Sequence, residues 1–379
     1  MENAEPRIRW GRYRSEFPAA KRYIYFNHAA VSPLSKRVIE AMNAVANGFL
    51  ERGVLCEDEM FARVEAARGA AARLIGARND EIAFIKNTTQ GVLLAANGIR
   101  WKRGDNVVMP AIEFPANVYP WLALEKRGVR IILVQPRDGR VTAEMLAAAC
   151  TARTRCVTVS FVQFSNGYRV DVATLGRFCR ARGIYFHVDG IQSLGMLRCD
   201  VRGMKIDFLS AGGHKWLLGP AGTGFFYCRR DLLDELDVWN PGWLGVRNAW
   251  SFFDHDPTPR SGARRFEEGS LNLYGIAGLG ASIERFLEIG MTRVEKRILA
   301  LTDTLDSGVR SRGYRITSPR GEDERSGILC FRHPCTDANK LQRKLSAARV
   351  VASVRMGAIR LAPHFYNTDE EAARVLDLL

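Results

Sequence analysis

The chain has 379 residues, of which 47% are hydrophobic and 25% charged, a composition typical of soluble globular proteins and sufficient for two domains. Its eight cysteines are scattered without a C-x-x-C pair, so we expect no disulfide framework, no zinc or other metal site, and a cytoplasmic location. No apolar run approaches the roughly 20 residues of a membrane helix, and we expect neither a secretory signal nor a membrane partner.

The formal net charge of +14 has two interpretations, an arginine-rich solvated surface or a surface that binds nucleic acid. Lysine and arginine are spread along the chain without a dense run, and no nucleic-acid module is recognisable. We therefore favour the solvated surface and expect no nucleic-acid partner.

Short apolar runs alternate with helical patterns through the first 230 residues. Strands are predicted at Ile82–Ile85, Asn106–Met109, Arg130–Val134, Thr154–Val162, Ile184–Val188, Phe208–Ser210 and Gly224–Cys228. Helices among them are predicted at Gln90–Ile99, Asn117–Lys126 and Val172–Arg182. This alternation predicts an α/β fold with a mainly parallel sheet, whose ligands bind in the loops after the strands.

From Pro241 to Glu268 the alternation gives way to a connection rich in proline, glycine, tryptophan and aspartate. Helices at Leu273–Ile289 and Met291–Arg312 follow, and then short strands in G-I-L-C-F and G-A-I-R-L. We expect an N-terminal arm at residues 1–22, a large domain at 23–255 and a smaller α+β domain at 256–379.

Three loops after predicted strands carry residues with both a structural and a ligand-binding interpretation. Thr88 and Thr89 either cap a helix or help its N-terminus to hold an anion. Phe114 either joins the core or lays its ring against a planar ligand. Asn166 either forms a turn with Gly167 or donates a hydrogen bond to a ligand.

Two further loops contain an acid and a lysine. Asp189 ends a predicted buried strand, so it needs a cationic partner, which is either an arginine of the fold or a protonated ring nitrogen, and Gln192 can approach the same ligand. Lys215 lies in S-A-G-G-H-K-W-L-L-G-P-A-G-T-G, either as a solvated turn residue or as a desolvated amine that reacts. An anion cradle, a stacking aromatic ring, an acid and a lysine in this order are what pyridoxal phosphate requires.

With these loops, the sequence resembles the class V aminotransferase family of fold-type I pyridoxal-phosphate enzymes, which includes cysteine desulfurases and isopenicillin N epimerase-like proteins. Similar segments extend from F-N-H-A-A-V-S-P-L to Y-N-T-D-E-E. The resemblance implies an aspartate-aminotransferase-like large domain with a mainly parallel seven-stranded sheet. It also implies pyridoxal 5'-phosphate as cofactor, a small amino-acid-like substrate, and a homodimer with shared active sites.

The resemblance also implies residue roles. Lys215 would bind the cofactor covalently and move the Cα proton, Asp189 would pair with the pyridine nitrogen, and Arg360 would clamp the substrate carboxylate. The other cofactor contacts would be Thr88, Thr89, Phe114, Asn166, Gln192, His214, Gly269 and Ser270, the last two from the partner subunit. Candidates for placing protons or substrate are His28, which we predict to contact substrate, and Tyr119, Trp243 and His364, although histidines and aromatic residues in loops more often pack than catalyse.

Two features depart from the family pattern. Gly212 stands where desulfurase-like members have the serine of S-G-H-K, so one phosphate contact is missing or supplied elsewhere. Only two residues separate Gly357 from Arg360, so the loop that carries the sulfur-accepting cysteine of desulfurases is absent. We therefore expect aminotransferase or C–S or C–C lyase chemistry at Cα, with epimerase-like racemisation as an alternative and desulfurase activity as a less favoured one.

Overall fold

The computed structural model describes residues 8–379, and within them no helix is both long and apolar enough to cross a membrane. The strands β1 to β13 are, in chain order, Ile24–Tyr25, Ile82–Ile85, Asn106–Pro110, Arg130–Val134, Thr154–Ser160, Tyr185–Asp189, Phe208–Gly212, Gly224–Cys228, Arg315–Ile316, Leu329–Arg332, Val350–Val351, Ser353–Arg355 and Ala358–Leu361. The helices α1 to α11 are Gly11–Arg14, Lys36–Arg52, Glu57–Ile75, Thr88–Gly98, Tyr119–Leu122, Ala143–Ala149, Val172–Ala181, Leu273–Ile289, Met291–Ser311, Ala338–Ala347 and Asp369–Asp377.

A seven-stranded sheet has the order β2-β8-β7-β6-β5-β3-β4, in which β8 runs antiparallel to both of its neighbours and the other adjacent pairs are parallel. Its strands are the seven that the sequence predicts, which confirms the α/β fold. β5 ends at Ser160, two residues earlier than predicted, because Val162 pairs back with Arg169 and turns the chain. The predicted helix at 117–126 contains only the four residues of α5, followed by a 3₁₀ turn.

The middle strands of this sheet are buried along their whole length, as expected for parallel strands that are covered on both faces. In their hydrogen-bonded register Ser160, Asp189 and Ser210 are neighbours on β5, β6 and β7. The carboxyl ends of these strands therefore meet at one edge, and the loops that follow them lie together.

Helix α8 packs against α2 and α3 beside the main sheet, although the sequence places it in the smaller domain. Small residues allow this close approach, since a Cβ on Gly280 would lie 2.7 Å from that of Ala67. The apolar side of α8, including Leu279 and Phe286, belongs to the same core as the sheet. The expected division at residues 255 and 256 does not follow this packing and stays a prediction.

A second, antiparallel sheet has the order β12-β13-β10-β9, with α9, α10 and α11 packed around it. Beside it, β1 pairs in parallel with β11, and Ile24 and Phe26 join its apolar core. The first residues of the expected large domain thus pack with the C-terminal strands. Residues 1–7 of the expected arm lie outside the described part of the chain.

A buried ion pair fastens the segment at 263–270 to the main sheet. Arg68 on α3 donates through Nη1 and Nη2 to the carboxylate of Glu267, at 2.7 and 3.1 Å, and both side chains are at most 2% exposed. Glu267 also accepts from the amide of Phe84 on β2, and Arg68 donates to the carbonyl of Ile82. Each partner is therefore the counter-charge that keeps the other one buried.

Glu267→Ala should lower the free energy of unfolding by about 3 kcal/mol, the lower end of the range for a broken buried pair, because Arg68 would lose its buried partner and keep only the exposed carboxylate of Glu65. Urea and thermal unfolding followed by circular dichroism would measure the loss. Glu59→Ala is the matched control, since Glu59 pairs with Arg63 at the surface of the same helix and its removal should shift the midpoint far less. Equal shifts in the two variants would contradict this assignment.

Candidate functional site

A cavity of about 310 Å³ lies at the edge where the parallel strands end. It is lined by eight of the residues predicted from the sequence, Thr88, Thr89, Phe114, Asp189, Gln192, His214, Lys215 and Arg360. Arg360 reaches it from β13 of the second sheet, whereas the others follow strands of the main sheet. The structure therefore gathers residues that are 272 positions apart, from Thr88 to Arg360, around one space.

Asp189 is a buried carboxylate whose two oxygens differ in their hydrogen bonding. Oδ1 accepts from the amide of Ile191 at 2.9 Å, while Oδ2 is buried and has no hydrogen-bond partner among the described residues. Burial raises the pKa of Asp189, the negative charge of Glu113 adds to the rise, and the amide of Ile191 and the cation of Lys215 oppose it. A cationic N–H donor in the cavity would satisfy Oδ2 and restore the ionised form.

Glu113 is a second buried acid, close enough for its charge to act on Asp189, and it was not predicted from the sequence. Its carboxylate accepts from the amide of Ser160 at 2.7 Å, from the hydroxyl of the same serine, and from Nε2 of Gln163 at 2.8 Å. Burial raises its pKa, and these hydrogen bonds oppose the rise. Glu113 therefore fixes the chain after β5 and adds a negative charge near Asp189.

Lys215, for which the glycine-rich segment predicts a reactive amine, is buried, and only 8% of it is exposed. Burial lowers the pKa of its amine and the cations of Arg360 and Arg355 lower it further, whereas the carboxylate of Asp189 raises it. Its Nζ lies 5.2 Å from the ring centroid of Phe114. The uncharged form needed for attack on an aldehyde is thus favoured relative to an exposed lysine.

Two aromatic rings form one wall of the cavity. Phe114, which is 40% exposed, contacts Phe164 in an edge arrangement with centroids 5.1 Å apart. Phe164 follows β5 and was not singled out in the sequence, because nothing in the pattern S-F-V-Q-F-S-N distinguishes its ring from a core residue. The exposed face of Phe114 can cover a planar ligand.

The N-terminus of α4, where the sequence predicts an anion cradle, opens onto the cavity. Asn87 caps the helix by accepting from the amide of Gln90 at 3.0 Å, and Thr88 Oγ1 accepts from the amide of Gly212 at the same distance. A Cβ on Gly212 would lie 3.3 Å from that hydroxyl and 3.4 Å from Nδ1 of His214, so the glycine gives little extra room. Burial, and then the charge of Lys215, lower the pKa of His214.

Arg360 is a buried guanidinium, and one of its terminal nitrogens has no hydrogen-bond partner among the described residues. Its Nε donates to Ser353 Oγ at 3.2 Å and its Nη1 to the carbonyl of Phe164 at 2.7 Å, while Nη2 has no partner among residues 8–379. Burial lowers the pKa of Arg360 to about 10, and the repulsion of Arg355 contributes. Arg355 itself lines the cavity and was missed in the sequence.

The segment at 24–32 joins the two sheets through the site. On one side, the amide of His28 donates to the carbonyl of Ala362 at 3.2 Å. On the other side, the amide of Ser32 donates to the carbonyl of His214 at 2.9 Å, and its Oγ donates to the carbonyl of Lys215 at 2.6 Å. One short segment therefore holds the lysine loop against the sheet that carries Arg360.

Four of the residues predicted to contact cofactor or substrate do not line this cavity. The amide of Asn166 donates to the carbonyl of Gly139 at 2.6 Å and its Oδ1 accepts from Tyr168, so Asn166 stabilises a turn, as its structural interpretation holds. Gly269 and Ser270 line a separate cavity of about 120 Å³ between β2 and α8. His28 is the fourth.

His28 is fully buried, and both of its ring nitrogens contact protein groups. They lie 2.8 Å from the carbonyl of Ala362 and 2.7 Å from the hydroxyl of Tyr366, and burial lowers the pKa of His28 to about 3. His364 packs against it, with Nε2 2.9 Å from the carbonyl of Trp216. The prediction that His28 contacts substrate is not supported, because its polar atoms are already satisfied; Tyr119 and Trp243 do not line the cavity either.

The hairpin before Arg360 contains no cysteine. Met356 and Gly357 connect β12 to β13 as a two-residue turn, both with positive φ (48° and 71°), as a type I′ turn requires. Cys330, opposite Arg360 on β10, is fully buried, and burial raises the pKa of its thiol to about 11. Cys335 is exposed, but like the other cysteines it does not line the cavity.

Comparison with known proteins identifies the family. The class-V aminotransferase profile matches residues 24–372. The chain belongs to the class-V aminotransferase family. It is 32% identical to a probable cysteine desulfurase of Methanothermobacter thermautotrophicus over 94% of both chains, and 30% identical to one of Pyrococcus abyssi over 97% of this chain and 96% of the relative.

The apo structure of a cysteine desulfurase from Thermococcus onnurineus NA1 superimposes with a TM-score of 0.87 at 25% identity, over 97% of this chain and 96% of that one. This likeness confirms the aspartate-aminotransferase-like, fold-type I architecture. This member of the class-V aminotransferase family is a pyridoxal-phosphate-dependent enzyme, and its cavity fits that cofactor. The unpaired Oδ2 of Asp189 matches a protonated ring nitrogen, and the free amine of Lys215 matches an aldehyde.

Lys215→Ala should abolish the link between protein and cofactor that borohydride reduction makes permanent, while noncovalent binding of the cofactor persists. The reason is that Lys215 is the one lysine lining the cavity among the described residues. Mass spectrometry of the reduced protein measures the link, and absorbance measures the bound cofactor. Lys126→Ala, at an exposed lysine, should leave both unchanged. Covalent cofactor on another lysine of the Lys215→Ala protein would disprove the assignment.

Proposed function

We propose that this enzyme cleaves the carbon–sulfur bond of a cysteine-type amino acid and releases the sulfur into solution rather than onto one of its own cysteines. Two of its relatives are named probable cysteine desulfurases, which favours sulfur removal from cysteine over aminotransfer and epimerisation. Carbon–sulfur cleavage was among the reactions expected from the sequence, whereas desulfurase activity was the less favoured alternative. The observation that carries the second half is the cavity itself, which is lined by an amine, an acid and two guanidinium groups but, among residues 8–379, by no thiol.

The reaction balances without an oxidant or a protein thiol. A proton leaves Cα, the Cβ–S bond breaks with its electron pair on sulfur, and hydrolysis of the remaining fragment gives pyruvate and ammonium. When bound, pyridoxal phosphate supplies an electron sink that stabilises negative charge at Cα. Cysteine and water thus yield pyruvate, ammonia and hydrogen sulfide.

Lys215 is the proposed proton carrier. Burial and the two neighbouring guanidinium groups lower the pKa of its amine to about 8, so the uncharged form that can accept the Cα proton is far more populated near neutral pH than in an exposed lysine. The hydrogen bond from Ser32 to the carbonyl of Lys215 fixes the backbone from which the amine swings. Asp189 is proposed to hold the cofactor ring from below through its unpaired Oδ2.

Arg360 is the proposed carboxylate clamp. Its Nε and Nη1 are fixed by Ser353 and Phe164, so the free Nη2 has a defined direction before the substrate arrives. An anchored carboxylate restricts rotation about Cα and therefore determines which bond stands perpendicular to the ring. Thr88, Thr89, His214 and Gln192, which line the same cavity, are proposed to contact the cofactor.

Cys330→Ala and Cys335→Ser should release sulfide and pyruvate from cysteine at wild-type rates, because neither thiol lines the cavity. Lead or methylene-blue detection measures sulfide, and lactate dehydrogenase coupling measures pyruvate. Arg360→Gln is the positive control and should lower kcat/KM by about tenfold to a hundredfold, since it removes a charge-assisted contact.

Three results would contradict this proposal. Alanine with a persulfide on the protein would indicate a desulfurase that uses its own cysteine. A keto acid formed with retention of sulfur would indicate aminotransfer, and solvent deuterium at Cα without bond cleavage would indicate epimerisation.

We further propose a homodimer in which Gly269 and Ser270 of one subunit complete the cavity of the other. Supporting this, they line a separate space in their own chain, and Glu267 holds their segment firmly to β2. Exposed apolar side chains occur near the same segment, and Trp243 lies within 3.7 Å of a Cβ built on Gly269.

Ser270→Ala should weaken cofactor binding severalfold even though Ser270 does not line its own chain's cavity, because one phosphate contact would be lost. Fluorescence titration of the apoenzyme measures this affinity, and sedimentation velocity measures the oligomeric state. Ser251→Ala, at an exposed serine, is the control. A monomer that binds cofactor with unchanged affinity in both variants would disprove the shared site.

A further inference from the structure

Arg355 is a second guanidinium in the candidate site. In the antiparallel pairing of β12 with β13, Ser353 stands opposite Arg360, and Arg355 stands opposite Ala358. Residues two apart on a strand share a face, so Arg355 and Arg360 are diagonal neighbours on one side of the sheet, about 7–8 Å apart. Both line the 310 Å³ cavity.

Arg355 forms no ion pair within residues 8–379. Its Nη1 donates to the carbonyl of Val354 at 2.7 Å, and its guanidinium lowers the pKa of Arg360 by repulsion. Many other arginines of the chain have carboxylate partners, including the half-buried Arg140 and Arg229. Two neighbouring cations facing one cavity without an acid between them leave a site that an anion would stabilise.

The two guanidinium groups carry two positive charges, whereas one substrate carboxylate carries a single negative charge. The free Nη2 of Arg360 accounts for the α-carboxylate, and Arg355 then still faces the cavity without a counter-charge. The acid of the cavity, Asp189, lies near Lys215, where its charge raises the pKa of the amine. A second acidic group on the substrate would fill the remaining position.

We propose that Arg355 selects cysteine derivatives whose sulfur carries a second acidic group, with the α-carboxylate on Arg360 and the distal acid on Arg355. This inference rests on the proposed carbon–sulfur cleavage. The distal fragment would leave with the electron pair on sulfur, still held by Arg355, so the same residue serves the substrate and its leaving group.

Substrates matched in shape but not in charge test the proposal. S-carboxymethylcysteine carries the distal acid, and S-carbamoylmethylcysteine has a neutral amide in its place. For the wild-type holoenzyme, kcat/KM for pyruvate release should be about tenfold or more higher for the acid, as expected for a charge-assisted contact. Equal values for the two would overturn the proposal.

A binding experiment gives an answer that does not depend on turnover. Succinate and its monoamide succinamate should compete for the site, and succinate should bind about tenfold or more tightly. Changes in cofactor absorbance report binding. If succinate is preferred but no sulfur is released from any substrate, the proposed function fails and the role of Arg355 stands. If sulfur is released without either preference, the role of Arg355 fails and the function stands.

Three variants identify the residue responsible. Arg355→Gln should remove most of the preference for the acid in both experiments, and Arg355→Lys should retain part of it. Arg315→Gln makes the same charge change at an exposed position of β9 and should retain all of it. Cofactor affinity should be unchanged in Arg355→Gln; a loss there would mean that Arg355 serves the cofactor phosphate, and would overturn the proposal. Should that variant fold poorly, the wild-type comparisons still decide.

Discussion

The site depends on the burial of opposite charges at the carboxyl ends of β6 and β7. Asp189 ends one strand and Lys215 follows the other, so the pairing register of the sheet determines how close they lie. Burial acts on both in the same sense, raising the pKa of the acid and lowering that of the amine, and therefore favours neutral forms of each. A ligand that brings a ring cation to the acid and an aldehyde to the amine removes both penalties, which explains why this pair suits pyridoxal phosphate.

The seven strands of the main sheet were predictable because buried parallel strands read as short apolar runs. The loops after them were predictable for the same reason, since topology places such loops together without knowledge of side-chain packing. Asn166 shows the limit of this reasoning. Asn-Gly is a turn signal. In the structure the side-chain amide of Asn166 donates to the carbonyl of Gly139, a partner that no pattern in the sequence identifies.

The contributions of the second sheet were harder to predict. Arg355 belongs to an unremarkable sequence pattern on β12, and it becomes a site residue only because the two sheets meet at the cavity. The buried environment of His28 likewise depends on Ala362 and Tyr366, more than 330 residues away. The packing of α8 on α3 escaped notice because glycines at a close helix contact look like any other glycines until the partner is known.

The segment at 24–32 has a mechanical consequence. Because it is hydrogen-bonded at one end to Ala362 and at the other to His214 and Lys215, movement of the C-terminal sheet pulls on the backbone of the lysine. Any rotation of the C-terminal sheet that opened the active site would therefore bend the segment at 24–32 or move the backbone of Lys215 with it. Because Ala29, Ala30 and Val31 of the same segment also line the cavity, its backbone position affects both the lysine and the wall of the site.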